Sequence, residues 1–324
     1  MTGAPVDGSA ADVEAVHRRI RELGAEAGWR RERPSLWPEP RPVLLPHRWR
    51  WRQFRAVLER AGGIVSTETA ERRNLTLTNP AEGHTYSTVR TIVAAYQMLR
   101  SGETARPHRH SPNAVRIVLE GRGAYTVVDG ERIPMTPGDV VLTPGGSWHA
   151  HGSVGREDCY WLDVLDVPLV HLLEPMFFEP HRGASELRCG SPDRAHLVFG
   201  APEIDARLAA APEAPDGSCE RQIELGTPAL PTLSLHVQSL RPGVSTELRR
   251  TTASSVFVVT SGRGLTQVEG ATFRWEAGDV IAVPAWRAYR HRARAPSRLL
   301  RVSDEPTLRA LGFLREDAGT HGPG

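Results

Sequence analysis

The stretch RPHRHSPNAVRIVLEG, residues 106–121, combines two histidines one residue apart with a run of aliphatic residues that ends in glycine. In a β-strand, residues i and i+2 point to the same face, so His108 and His110 would project side by side. Two neutral imidazoles in this arrangement suit a metal site but need a further ligand. The later stretch GDVVLTPGGSWHAHG, residues 138–152, supplies a second pair, His149 and His151. Strands distant in the sequence become neighbours in a small barrel, so one of these histidines can complete a set of three.

Short apolar segments separated by glycine and proline fill the chain from about residue 85, which predicts a β-sandwich or small barrel. The same pattern resumes from residue 228 and repeats the first block. The recurring positions are Gly102 with Gly243, Gly121 with Gly262, and Gly138-Asp139 with Gly278-Asp279. A repeat of this kind indicates a tandem duplication. We therefore predict a mainly β chain with two tandem barrels.

The boundaries of this organisation follow from changes in composition. We predict an N-terminal helical and extended arm (1–84), a metal-binding barrel (85–170), a linker with helical pieces (171–226), a metal-free barrel (227–304) and a C-terminal tail (305–324). In the arm, helical spacing covers residues 9–28, and a second short helix is expected at Arg52–Ala61. The arm also contains RWRWR (residues 48–52), which could stack on nucleic acid or pack against protein.

The bulk composition narrows the class of protein. Lys+Arg total 40 against Asp+Glu 38, for a formal charge of +2, which favours packing over nucleic-acid binding for RWRWR. The three cysteines have no CxxC spacing, which is typical of a reducing compartment rather than of a disulfide framework. The first residues lack the apolar core of a signal peptide, and no apolar run is long enough for a membrane span. We predict a cytoplasmic protein that binds neither nucleic acid nor membrane.

Two patterns around the histidine pairs resemble the motifs of the cupin superfamily. The patterns are Gly102-x5-His108-x-His110 with Gly121, and Gly138-x5-Pro144-x-Gly146-x2-His149. The usual glutamate ligand of the first motif is missing, because Ala114 and Val115 occupy the places where it would fall. The resemblance implies double-stranded β-helix (jelly-roll) barrels and a site with three histidines and no carboxylate.

A narrower resemblance covers residues 65–310. HRHSPNAVRIVLEG, TPGGSWHAHG, WLDVLDVPLV and EPMFFEP resemble the bicupin family of gentisate, salicylate and 1-hydroxy-2-naphthoate 1,2-dioxygenases. It implies that one Fe(II) per subunit is bound by three ligands: His108, His110 and His149. It also implies that the substrate pocket is lined by Gln97, Arg116, His151, Trp161 and Asp163. Arg72 would reach into the pocket from the arm.

The expected activity is Fe(II)-dependent, extradiol-type ring cleavage. O2 would be inserted between the carboxyl-bearing and hydroxyl-bearing carbons of an ortho-hydroxy aromatic carboxylate such as gentisate or salicylate. Arg116 lies six residues after His110, hence on the same strand face, and could pair with the substrate carboxylate or steady the oxygen anion. His151 could deprotonate the substrate hydroxyl or donate to bound oxygen. The expected partners are the substrate and O2, in a homo-oligomer (dimer or tetramer).

Other interpretations remain open from the sequence. Arg116 could face solvent, His151 could be a plain hydrogen-bond donor, and Trp161 and Asp163 could be core and ion-pair residues. The chain could instead be a three-histidine tailoring oxygenase, isomerase or lyase of secondary metabolism, or a non-catalytic small-molecule-binding bicupin. In the second repeat, the positions of His108, His110 and His149 are taken by Arg249, Thr251 and Tyr289, and only His291, the partner of His151, remains. That barrel is therefore expected to be metal-free.

Overall fold

The computed structural model describes residues 9–30, 36–66, 73–84, 86–182, 197–215, 217, 219–226 and 229–317. The α-helices are α1 (Ala10–Glu22), α2 (Trp51–Gly62), α3 (Val167–Leu173), α4 (Ala201–Ala210) and α5 (Glu305–Ala310), with a 3-10 turn at Gly28–Arg30. Both helices predicted in the N-terminal region are present, although α1 ends at Glu22 rather than at residue 28. None of the helices in the described ranges is long and apolar enough to cross a membrane.

Strands dominate the rest of the chain. Those of the N-terminal half are β1 (His47–Trp49), β2 (Arg73–Thr76), β3 (Val93–Leu99), β4 (Thr104–His110), β5 (Ala114–Glu120), β6 (Ala124–Val128), β7 (Glu131–Met135), β8 (Val140–Thr143), β9 (His149–Ser153), β10 (Cys159–Leu165), β11 (Phe178–Pro180) and β12 (Val198–Phe199). Those of the C-terminal half are β13 (Arg221–Glu224), β14 (Ser234–Leu240), β15 (Arg250–Thr251), β16 (Ser255–Ser261), β17 (Arg263–Val268), β18 (Ala271–Glu276), β19 (Val280–Val283), β20 (Tyr289–Ala293), β21 (Ser297–Ser303) and β22 (Glu316–Asp317).

Each repeat forms a barrel from antiparallel strands. Within the described residues, the first barrel consists of the sheets β12-β8-β5-β10-β3-β2 and β11-β4-β9-β6-β7. The second consists of β1-β19-β16-β21-β14-β13 with the smaller sheets β18-β17-β20 and β15-β22. The predicted mainly β fold with tandem barrels is confirmed.

Successive side chains along a strand point to opposite faces of the sheet, so one set faces the inside of its own barrel and the other set faces the other barrel. In β5, Val115 and Ile117 belong to a hydrophobic core that also contains Val256 and Leu300 of the second barrel. The outer faces of the two large sheets therefore pack against each other. Residues of opposite parity, such as Arg116, point into the first barrel. A separate hydrophobic core, which contains Phe257, lies inside the second barrel.

The RWRWR segment packs between the barrels. β1 pairs with β19 of the second barrel, and α2 follows directly. The Trp51 backbone N–H donates to Asp279 Oδ1 (2.9 Å), and its indole Nε1–H donates to Glu120 Oε1 of the first barrel (2.6 Å). A Cβ at Gly278 would lie 2.4 Å from the Trp51 ring, so only glycine fits there. Contacts within the chain group Pro42–Gly324 into one compact unit and Met1–Arg41 into another.

The duplication continues beyond the barrel strands. β10 leads through buried Asp166 into α3, and β21 leads through buried Asp304 into α5. β11 then pairs with β4, just as β22 pairs with β15. In the first barrel, a helix and a short added strand therefore lie at the end that carries the histidines. The second barrel has the same two elements at its equivalent end.

Burial of His291 in the second barrel makes stability depend on pH. Desolvation, with a smaller contribution from Arg301, lowers the pKa of His291 from 6.5 to about 3. The unfolded chain therefore binds more protons than the folded chain between these values, so stability is lost as the pH falls below 6.5. The expected slope is about 1.4 kcal/mol per pH unit.

We expect His291→Gln to remove this contribution. Between pH 7.5 and pH 5, the free energy of unfolding should fall by about 2 kcal/mol less in the variant than in the wild type. Urea unfolding at the two pH values measures the difference, with His84→Gln as a control for loss of one histidine. Equal pH dependence in His291→Gln and wild type would contradict the assignment.

Candidate metal centre and active site

Three histidines meet on the inner face of the first barrel. β4 and β9 are antiparallel neighbours with His108 opposite His149, and His110 lies on the same face of β4. The candidate ligand nitrogens of His108, His110 and His149 all lie within 4.8 Å of one another. Within the described ranges, these three residues form the cluster that could hold a metal ion, and it contains no carboxylate.

Hydrogen bonds orient each of the three rings. The Nδ1 atoms lie close to backbone carbonyls: 3.0 Å from Arg106 O for His108, 2.9 Å from Pro112 O for His110 and 2.9 Å from Ser147 O for His149. Because a carbonyl only accepts, each Nδ1 carries the proton and each Nε2 carries a lone pair. Metal-binding histidines in proteins are typically oriented this way. The donor set therefore fits a divalent transition metal.

Arg116 lies beside the histidines in a buried network. The prediction that it shares a strand face with His110 was wrong, because the chain bends after His110 and Arg116 lies on β5 of the other sheet; both sheets line the same interior. Arg116 Nε and Nη2 each donate to Asp163, to Oδ1 and Oδ2 respectively, at 2.7 Å. Gln97 Nε2 donates to Asp163 Oδ2 at 2.6 Å. The guanidinium also lies 4.6 Å from the centre of the Trp161 ring. Arg116 and Asp163 are 5% and 2% exposed, so this bidentate pair is shielded from water and holds the guanidinium rigidly.

His151 is held by Arg116 and Thr126, and its ring centroid lies 5.6 Å from that of His149. Its Nδ1 lies 2.5 Å from Arg116 Nη1 and 2.9 Å from Thr126 Oγ1. Nη1 also lies 3.2 Å from His151 Nε2, but Nδ1 is the nearer nitrogen, and because an arginine can only donate, Nδ1 is the acceptor that the geometry favours. The second barrel keeps the same pairing, because His291 Nδ1 lies 2.8 Å from Thr266 Oγ1.

A cavity of about 320 Å³ opens beside the histidines. Its wall includes five of the predicted site residues: Gln97, His110, Arg116, His149 and Asp163. His108, His151 and Trp161 are buried and are not part of the wall. Arg72 lies outside the described residues. The structure thus brings most predicted site residues together and puts Trp161 behind Arg116.

Other residues of the cavity were not singled out from the sequence. The stacked pair Tyr86 and His171 also lines the cavity, and its apolar wall includes Val93, Ala95, Leu165, Met176, Phe177 and Phe178. The Phe178 ring stacks 5.1 Å from that of His108, because β11 lies beside β4. The available signal was EPMFFEP, which resembles the family as a segment but does not reveal which residues face the cavity.

Gly145 allows the two histidine-bearing strands to approach. Its N–H donates to Asn113 Oδ1 (2.9 Å), and a Cβ there would lie 2.2 Å from the Ser111 carbonyl oxygen. We expect Gly145→Ala to push apart the segments that follow His110 and precede His149, weakening metal affinity about 10–100-fold. Isothermal titration with the metal measures this.

Gly146→Ala is the matched control for this substitution. Gly146 has a positive φ of 81° but open space around a Cβ, so alanine should cost about 1–2 kcal/mol of stability and leave metal affinity nearly unchanged. Equal metal affinities for the two variants would contradict the role given to Gly145.

Comparisons with known proteins agree with this geometry. The cupin domain family matches residues 95–165 and 236–303, one region in each barrel. The chain is 38% identical to the 5-aminosalicylate 1,2-dioxygenase of Comamonas sp., over 95% of this chain and 90% of that protein. It is 33% identical to the 1-hydroxy-2-naphthoate 1,2-dioxygenase of Nocardioides sp., over 98% and 90%.

A solved structure gives the same result. The salicylate 1,2-dioxygenase of Pseudoaminobacter salicylatoxidans, in adducts with gentisate, superposes with a TM-score of 0.88 at 28% identity, covering 99% of this chain and 98% of that one. Similarity of this extent reaches through both barrels and the site. The chain therefore belongs to the bicupin family of gentisate, salicylate and 1-hydroxy-2-naphthoate 1,2-dioxygenases and is a ring-cleaving dioxygenase.

Proposed function

We propose that this dioxygenase holds Fe(II) through His108, His110 and His149 and cleaves an ortho-hydroxy aromatic carboxylate between its carboxyl-bearing and hydroxyl-bearing carbons. The observation that carries the proposal is a carboxylate-free set of three imidazoles beside a cavity whose wall contains Arg116. Neutral ligands leave the charge of the metal to be balanced by the substrate, which favours an anionic, chelating one. The relatives that act on 5-aminosalicylate and 1-hydroxy-2-naphthoate support the same substrate class.

Fe(II), when bound, would supply Lewis acidity and one-electron redox chemistry with O2. The protein's own part is to bind and orient. Arg116 uses Nε and one N–H of Nη2 on Asp163, and each Nη atom carries a second N–H. We assign these remaining donors to the substrate carboxylate or to the oxyanion that develops during cleavage. Because Asp163 fixes the guanidinium beforehand, little reorganisation is needed at that moment.

Gln97 and His151 have complementary hydrogen-bonding roles in this proposal. The Gln97 amide donates to Asp163, and its Oε1 is buried without a partner. That oxygen would accept from a hydroxyl or amino group of the substrate. The Arg116 donor at His151 Nδ1 favours His151 as a donor through Nε2–H over His151 as the base.

The apolar wall would exclude water from the reacting ring. Val93, Ala95 and Leu165 flank the polar groups, and Phe178, which also lines the cavity, stacks on His108. A cavity of about 320 Å³ lies within the range of sites for small ligands.

We further propose a homo-oligomer, dimer or tetramer, because the N-terminal unit exposes large apolar side chains: Leu23, Trp29, Leu36 and Trp37. Light scattering of the full chain tests this.

Oxygen uptake after anaerobic loading with Fe(II) tests the activity. The panel is gentisate, salicylate, 5-aminosalicylate and 1-hydroxy-2-naphthoate, with 3-hydroxybenzoate as a control that lacks the ortho hydroxyl. We expect uptake with at least one panel member, both atoms of labelled O2 in one ring-opened product, and no uptake with the control. An iron-loaded enzyme that consumes no O2 with any panel member would refute the proposal, as would equal rates with the control.

A further inference from the structure

Register assigns each inner residue of the second barrel a counterpart in the first. Asp163 on β10 lies opposite Ala95 on β3, and Arg301 on β21 lies opposite His236 on β14. The same comparison matches Gln97 with Gln238. Three small or apolar positions of the first cavity wall are thus polar in the second barrel: Val93 becomes Ser234, Ala95 becomes His236 and Ala114 becomes Ser255. The second barrel is therefore more polar than the first at the positions that correspond to this part of the cavity wall, although it lacks the three histidines.

Several of these polar atoms are buried without a hydrogen-bond partner. They are Ser234 Oγ, His236 Nδ1, Gln238 Oε1 and His291 Nε2. Ser234, Gln238 and His291 are at most 5% exposed. A buried polar group without a partner is destabilising, and in native proteins most such groups are satisfied. Four such atoms on the inner face of one barrel indicate a polar occupant.

A buried guanidinium lies in the same interior. Arg301 donates from Nε to Ser255 Oγ (2.9 Å) and from Nη2 to Glu305 Oε2 (3.2 Å), and is 7% exposed. A carboxylate thus holds Arg301 in place, as Asp163 holds Arg116 in the first barrel. Arginine in such a pair retains further N–H donors suited to a ligand carboxylate.

The remaining groups define the rest of the ligand. Gln238 Nε2 donates to Gln222 Oε1 (2.7 Å), so the free Gln238 Oε1 requires a donor such as a hydroxyl. Tyr289 provides aromatic surface on the same interior, and its ring centroid lies 5.5 Å from that of the fully buried Phe257. Burial lowers the pKa of His236 to about 4, so its ring is neutral near pH 7 and can accept or donate one hydrogen bond. His236 is only half-buried and lies at the solvent side of the group.

We propose that the second barrel binds a small hydroxylated carboxylate with a flat ring, at a metal-free site formed by Ser234, His236, Gln238 and Arg301. The site is the counterpart of the catalytic cavity and serves binding alone, because Arg249, Thr251 and Tyr289 stand at the positions of the three histidines. The substrate of the first barrel has this chemistry, whereas its ring-opened product is an open-chain 2-oxo dicarboxylate that has lost both the ring and the ortho hydroxyl.

Equilibrium dialysis of the full chain with salicylate, without O2, tests the proposal. We expect two sites per chain in the wild type and one in His236→Phe, which fills the second interior with an apolar ring. Ser234→Val, which copies the first barrel's Val93, should weaken the second site at least about tenfold. His110→Ala should lose the first site and retain the second, which separates this proposal from the function of the first barrel.

Two results would overturn the proposal. One is a single salicylate site in the wild type that His110→Ala removes and His236→Phe leaves intact, since the interior would then hold only water. The other is a second site with equal affinity in wild type, His236→Phe and Ser234→Val. Thermal unfolding verifies that each variant is folded, and Ser234→Val serves alone if the larger substitution is not tolerated. Repeating the dialysis with the product of complete gentisate turnover identifies which compound occupies the site.

Discussion

Replacing His110 with alanine is expected to abolish stoichiometric binding of the metal and to lower the rate of ring cleavage by about three orders of magnitude or more. His110 is one of three imidazoles with ligand atoms within 4.8 Å of one another, and the cluster has no carboxylate that could replace it. With two ligands left, the metal would be held weakly. The protein donors around the cavity would then face a substrate with no metal to orient it.

Metal analysis after Fe(II) loading and desalting, together with oxygen uptake, measures both effects. The fold should survive, because His110 is partly exposed at the end of β4 and its loss leaves no large buried cavity. His84→Ala is the matched control, since it removes a histidine outside the cavity wall. Retention of one metal ion per chain and of turnover in His110→Ala would rule out the proposed centre.

The second large effect is expected from Asp163→Asn. The carboxylate accepts both Arg116 bonds and the Gln97 bond, and all three residues are buried. Neutralising it leaves the guanidinium without a counter-charge in the interior, which should reduce the free energy of unfolding by about 3–5 kcal/mol. Activity should fall as well, because Arg116 would lose the contact that orients it toward the cavity.

A double variant separates the structural from the catalytic part of this effect. Arg116→Met with Asp163→Leu replaces the pair by apolar side chains, so no buried charge remains and stability should recover relative to Asp163→Asn. Ring cleavage should stay low, because no guanidinium faces the substrate. Urea unfolding and oxygen uptake on the same preparations distinguish the two. Recovery of activity together with stability would show that Arg116 has no part in the reaction.

Much of the fold followed from local patterns. Apolar alternation with glycine and proline punctuation predicted the strands, and the recurrence of Gly102 and Gly121 as Gly243 and Gly262 predicted the second barrel. Such signals are readable because side-chain direction in a strand has a period of two and tight turns favour glycine. The short strands could not be predicted from the sequence. β11 and β22 are too short to show a period, and they are strands only because β4 and β15 lie beside them.

For the candidate site too, some features could be predicted from the sequence and others depended on the tertiary structure. The sequence by itself determined that His108 and His110 share a face and that no carboxylate stands at the usual place in the first motif, since each is a property of one short segment. The spacing of Arg116 from His110 was misleading, because β4 ends at His110 and Arg116 lies on β5 of the other sheet. Only the tertiary structure decided that His149 lies opposite His108 while His151 is held by Arg116 and Thr126. It also decided that Asp163 clamps Arg116, that Trp161 lies behind the wall and that Phe178 stacks on His108. These contacts join residues far apart in the chain, and strand register and side-chain packing, rather than local propensity, determine which of them form.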